Sequence, residues 1–143
     1  MSKFSFHSNA THSLGVELEF GIVDSETFAL SCRSDELLEA LPSDVGAFCK
    51  HELMQSCIEV ISGVCTDVAM ARDDVAGKLV AVQSAAERLG LQLWWGATHP
   101  FSSWQDQIVT EDDRYQGLVN LLQEMARRLI TFGLHVHVGV DSG

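Results

Sequence analysis

The sequence predicts an α+β fold in which a mainly antiparallel sheet carries helices on one face. Three observations predict it: apolar runs of period two open and close the chain, turn-rich connections near the start suit hairpins, and two long stretches of helical periodicity occupy the second half. The composition fits one domain. At 143 residues, 46% of them apolar, the chain is long enough to bury about 68% of its unfolded surface.

Taken in order, residues 14–24 read LGVELEFGIVD, an alternation that puts Val16, Leu18, Phe20 and Ile22 on one face of a strand and Glu17, Glu19, Gly21 and Val23 on the other. The turn composition of DSET at 24–27 lets residues 28–32 return as a short antiparallel strand. Ser34 is placed to cap a short helix running to Leu41, with Pro42 as its stop. The β-branched second half of residues 49–64 reads as another strand. Thr66 is expected to cap a long helix with Val68, Val75, Leu79, Val82, Ala86 and Leu89 on its buried stripe and Gly90 at its end. Residues 91–95 form a short strand, and GATHPFSSWQDQ after it is a loop in which His99, Trp104 and Asp106 read as packed or exposed loop residues. Thr110 is expected to cap a second long helix, with a stripe of Tyr115, Leu118, Leu122, Met125, Leu129 and Phe132 closed by Gly133. The final strand, GLHVHVG, alternates Leu134, Val136 and Val138 against His135 and His137.

Two of these strands carry chemistry on their polar faces. Glu17 and Glu19 lie two residues apart, so their Cα atoms stand about 6–7 Å from each other, close enough to share a cation or to serve two neighbouring ones. Paired carboxylates on a sheet face need a compensating positive charge if they are buried. Histidines at i and i+2 of one strand can serve one metal, or a metal and an adjacent anion. Glu59, set among Ile58, Val60 and Ile61, is a third candidate. Glu52 is a fourth, for which a structural and a functional role stand even: its odd spacing from Glu59 puts the two on opposite faces of an unbroken strand, so both reach one site only if the backbone bends, bulges or leaves the strand between them.

The 9 basic and 20 acidic residues leave a formal charge of −11, which argues against nucleic acid and anionic membrane surfaces as partners and is compatible with divalent cations. Much of that charge belongs to solvated positions such as Glu111, Asp112 and Asp113. No run approaches the roughly 18–20 apolar residues of a membrane span, and MSKFSFHSNA has no leader-like apolar stretch, so a cytoplasmic location is expected. Cys32, Cys49, Cys57 and Cys65 form no CxxC pair and read as reduced, packed thiols.

LGVELEF, the segment from Glu52 to Glu59, GATHPFSSWQDQ with Arg114 and Tyr115 after it, and GLHVHVG together resemble, in order and spacing, the glutamate-cysteine ligase type 2 family of carboxylate-amine ligases, within the glutamine synthetase superfamily. The resemblance implies a curved antiparallel sheet of the glutamine synthetase catalytic type that binds ATP with Mg²⁺ or Mn²⁺. It implies that Glu17, Glu19, Glu52, Glu59 and His135 ligate metal and that His137 lies near nucleotide phosphate, and it permits a break between Glu52 and Glu59. The implied reaction, a step of glutathione biosynthesis, activates the side-chain carboxylate of glutamate or a related acid as an acyl phosphate. The amine of cysteine, or another amine, then attacks it. Members of the family are much longer, so residues 1–143 are expected to be the N-terminal part of a single catalytic domain, with an incomplete sheet whose open edge invites a homo-oligomer or a complementing C-terminal portion. Two other classes compete with this reading. A zinc hydrolase of the barrel type would place HxH early and follow it with further histidines, and a truncated, non-catalytic remnant of the ligase fold would bind without turnover.

Overall fold

The computed structural model describes residues 11–141, so the leader-free reading of residues 1–10 concerns a stretch outside the described residues. The sheet is built on β1 (Leu14–Asp24), whose length lets it pair with three strands at once. β3 (Cys57–Ile61) runs along one edge of it, and on the other edge β5 (Leu134–Val138) takes residues 14–18 while β4 (Leu91–Trp94) takes residues 21–24. β2 (Cys49–His51) extends the sheet beyond β3. Every ladder is antiparallel, and the whole is an α+β fold.

The alternation in β1 assigns its faces. Phe20 and Ile22 pack with Ile58, Val60 and Leu93 against α3 (Val68–Arg88) and α1 (Ser34–Glu39), where Leu37, Val82, Ala85 and Ala86 are fully buried. α3 begins one residue later than expected. Asp67, not Thr66, is the cap, and its carboxylate accepts the Met70 N–H at 2.8 Å. Gly90 follows the helix with φ +69°, a left-handed conformation that glycine adopts without steric cost. Val68, expected on the buried stripe, is the first residue of α3 and is 75% exposed, on an open groove shared with Leu14 and Val16.

Lys78, also on α3, is buried where the periodicity offered no apolar residue. Its ammonium donates to the Ile61 carbonyl at 3.0 Å and to Asp74 at 2.6 Å and lies 3.6 Å from the centre of the Phe48 ring, while Asp74 also accepts the Gly63 N–H. The network ties the end of β3 to the helix. Lys78→Met keeps the stem and removes the charge-assisted bonds, and is expected to lower stability by about 2 kcal/mol. A urea unfolding midpoint equal to that of the parent would contradict this.

Several expectations change in the tertiary structure. Residues 28–32 make only an isolated bridge, Val23 with Leu30, because the Ser102 hydroxyl takes the Leu30 N–H at 2.9 Å. Ser34 is the first helical residue of α1 and is fully buried without capping it. Pro42 not only stops that helix but precedes a one-turn helix, α2 (Ser43–Gly46). The second long helix is capped by Asp112 and splits at Gln123, φ +53°, into α4 (Asp113–Leu122) and α5 (Glu124–Arg127). An unbroken helix to Phe132 would run about 30 Å in one direction. Instead the chain turns back, and Ile130 and Phe132 cover Cys57 on the sheet. Met125 and Leu129 of the expected stripe are therefore exposed, whereas Tyr115, Val119 and Ala126 form a small core with Leu53 and Met54. Leu134, Val136 and Val138 of β5 are also exposed, at 65%, 59% and 64%, and Leu134 and Val136 line an open apolar groove with Leu14 and Val16 of β1 and Val68 and Val75 of α3. The four thiols are free, with Cys49, Cys57 and Cys65 buried, as packed cysteines should be.

Candidate metal centre

The face of the sheet opposite α3 carries the acids, and the strand register decides which of them meet. Glu19 lies directly across from Glu59 on β3, and Glu59 across from Lys50 on β2. On the other edge Glu17 lies across from His135, and Gly15 across from His137.

Glu52 joins them because residues 52–56 leave the ladder between β2 and β3. Three bonds from the start of the α4 segment hold this departure: the Thr110 hydroxyl donates to the Glu52 carbonyl at 2.6 Å, the Thr110 N–H to the Leu53 carbonyl at 2.9 Å, and the Tyr115 hydroxyl to the His51 carbonyl at 3.0 Å. The carboxylate then curls back to accept the Leu53 N–H at 3.1 Å. Glu19, Glu52 and Glu59 each present an oxygen, all within 4.8 Å of one another. Glu17 stands beside this cluster, with one oxygen 3.2 Å from His137 Nε2 and 3.4 Å from His135 Nδ1.

The electrostatics follow from this crowding. Burial, then the charges of Glu19 and Glu17, raise the Glu52 carboxyl above its ordinary range, against the pull of the Leu53 N–H and Arg114. Burial, then Glu17 and Glu52, raise Glu59 against the pull of Lys50. Glu17 is lowered, chiefly by its hydrogen bond from His137. Lys50 and Arg114 offset only part of this negative charge, and an all-carboxylate donor set fits a hard divalent cation such as Mg²⁺ or Mn²⁺.

Sequence reasoning missed three supporting residues. Gly133 donates its N–H to Glu19 at 2.7 Å, and a Cβ there would stand 3.2 Å from the same oxygen and 3.3 Å from the His135 ring. Its position immediately before the HxH strand was the available signal. Thr110, expected to cap the helix, instead holds the Glu52 segment, and Lys50 faces Glu59 across the β2–β3 ladder. The loop residues behaved as packing: His99 is buried, its Nε2 3.0 Å from the Phe28 carbonyl, and Trp104 packs near Phe132.

The model of glutamate-cysteine ligase family 2 matches residues 13–143. The chain belongs to that family. Proteins named "Putative glutamate--cysteine ligase 2-1" in Frankia alni and "Putative glutamate--cysteine ligase 2" in Thermobifida fusca are 43% and 40% identical to it over 141 and 139 residues, covering 96% and 94% of this chain. The chain spans only 37% and 35% of the length of these two relatives. A crystal structure of glutamate-cysteine ligase from Francisella tularensis in complex with AMP has the same fold over 94% of this chain and 28% of its own, with a TM-score of 0.62 at 14% identity. Among the described residues of this family 2 chain, no helix is long and apolar enough to cross a membrane.

Two predictions arise at the family 2 carboxylates. Gly133→Ala should displace the Glu19 carboxylate by a few tenths of an ångström and weaken Mn²⁺ binding by about tenfold. Calorimetry with an unchanged circular dichroism spectrum would separate this from misfolding, and unaltered affinity would contradict it. The second concerns pH. Glu52 and Glu59 have raised folded-state pKa values, so below the ordinary carboxylate range, about pH 4, they make no difference to stability. As pH climbs through that value and past the raised ones, the unfolded chain releases its protons first and the metal-free fold loses stability. A cation binds only the ionised form, so Mn²⁺ should raise the melting temperature more at about pH 7.5 than at about pH 4.5. An equal rise at both would count against the cluster.

Proposed function

We propose that this chain forms part of an ATP-dependent carboxylate-amine ligase, of which it holds most of the metal site, and that the activity is that of a glutamate-cysteine ligase in the cytoplasm. The observation that carries this reading is the convergence of Glu19, Glu52 and Glu59 on a face shared with Glu17, His135 and His137. In this reading the three carboxylates hold Mg²⁺ or Mn²⁺, with Glu17 and His135 completing the shell and His137 facing nucleotide phosphate. The cation supplies charge neutralisation between phosphate and the acid substrate. The chain's residues position and do not attack: the rigid register of β1 and β3 fixes the acids, and the Thr110 clamp fixes Glu52. The glutamate carboxylate takes the terminal phosphoryl group of ATP, releasing ADP, and the amine of cysteine then displaces phosphate to form the amide.

Residues 1–143 form, in this reading, the N-terminal part of one catalytic domain, and turnover draws on groups carried elsewhere in the relatives' length. A second reading is a binding module that keeps the cluster of Glu19, Glu52 and Glu59 without turnover. Calorimetric titration with a non-hydrolysable ATP analogue, with and without Mg²⁺, tests the metal site. Saturable binding only with Mg²⁺ supports it, and its absence in a folded chain sinks the proposal that these residues suffice to bind. Assay with glutamate, cysteine and ATP then separates the ligase from the module.

A further inference from the structure

β2 places one side chain on the carboxylate face. Alternation sends Cys49 into the core and His51 toward α1, where its Nδ1 lies 3.3 Å from Asp35, so Lys50 between them shares the face of Glu19 and Glu59. The register sets Lys50 directly across from Glu59, and its charge opposes the burial that raises that carboxyl. Its backbone is fixed on two sides: the ladder to β3 pairs it, and the Tyr115 hydroxyl holds the next carbonyl, that of His51, at 3.0 Å. The side chain is nevertheless exposed, and among the described residues its ammonium forms no ion pair with a carboxylate. Arg114, which also acts on the cluster, differs, because its guanidinium lies 4.4 Å from the centre of the Tyr115 ring and donates to that hydroxyl. Lys50 is a cation held beside three acids and paired with none of them.

A hard octahedral ion held by three carboxylates keeps positions for the oxygens of another ligand, and once it takes up their charge Lys50 faces it without a counter-charge of its own. An anion coordinated to the ion satisfies both. We propose that Lys50 binds the phosphate chain of a nucleoside triphosphate whose oxygens also coordinate the cation at Glu19, Glu52 and Glu59, at the margin of the face opposite His137. A phosphate oxygen is the charge-assisted acceptor that a lysine ammonium takes as a point charge. The inference deepens the ligase reading and rests on it for the cation. It has two consequences of opposite sign. Removing the ammonium takes a like charge away from the cation and so tightens metal binding alone, while it takes a contact from the anion and so loosens that. A lysine that only guards the outer edge of the sheet would produce neither.

The test compares the full chain with its Lys50→Met variant by calorimetry, first with Mn²⁺ alone and then with inorganic tripolyphosphate in excess Mg²⁺. The expected result is Mn²⁺ binding tightened about two- to fivefold and tripolyphosphate binding weakened by about tenfold or more. Lys50→Arg should restore both to within about threefold of the parent. Arg72→Met, an equal loss of charge on α3 across the sheet, should change neither by more than about twofold. Mn²⁺ binding retained by Lys50→Met also shows that the variant is folded. The proposal is overturned if Lys50→Met binds tripolyphosphate as tightly as the parent, if it weakens Mn²⁺ and tripolyphosphate alike, or if the parent binds Mn²⁺ but not tripolyphosphate. A folded parent that binds no Mn²⁺ overturns the ligase reading and this inference together. Mg²⁺-dependent binding of the ATP analogue that Lys50→Met leaves unchanged keeps the ligase reading and overturns the inference alone.

Discussion

Glu19→Gln should weaken metal-dependent nucleotide binding by about a hundredfold or more, while Glu111→Gln should change it by less than twofold. Glu19 is the residue on which the cluster closes. It faces Glu59 across the β1–β3 ladder, its oxygen lies within 4.8 Å of those of Glu52 and Glu59, and Gly133 fixes its carboxylate by a hydrogen bond. The amide keeps the shape but loses the charge, and even residues that only orient a ligand cost about 10–100-fold when removed, so a direct ligand should cost at least the upper end. Glu111 is an exposed acid ahead of α4, with the same formal charge and no part in the cluster. The comparison therefore separates coordination from net charge. Titration of both variants with Mg²⁺ and an ATP analogue decides it, and equal losses would mean that the acids act only through the overall field.

Ile58→Ala should destabilise the fold by about 3–4 kcal/mol, whereas Val136→Ala should cost less than about 0.5 kcal/mol. The two residues look alike in sequence, each β-branched and apolar in an alternating strand beside a polar candidate. Ile58 is fully buried with Phe20, Leu37 and Val82 under α1 and α3, so truncation leaves a cavity. Val136 is 59% exposed on β5 and leaves none. For a domain whose total stability is about 5–15 kcal/mol, the first loss should move the urea midpoint plainly. A large effect at Val136 would mean that β5 is covered in solution, by a second copy or by another polypeptide.

The candidate site was legible wherever it depended on strand periodicity. Alternation alone put Glu17 with Glu19, His135 with His137, and Glu59 among buried neighbours, because successive residues of a strand must point to opposite faces. The register then made Glu19 and Glu59 directly opposed, something neither strand contains by itself. Glu52 shows the limit: its odd spacing left both roles open until the hydrogen bonds of Thr110 and Tyr115, from residues about sixty positions along the chain, took its segment off the ladder.

The same division holds for the fold. By itself the sequence determined the central strand, the long helix ended by Gly90 and the polar face of β5, all products of local sterics and of the spacing of apolar residues. Only the tertiary structure decided that the second helix breaks at Gln123, that Phe132 returns to lie against Gly21, and that the apolar face of β5 stays uncovered while that of β3 is buried. Those outcomes depend on which surfaces meet after the chain has closed on itself, and an apolar stripe specifies that it can be buried, not what will bury it.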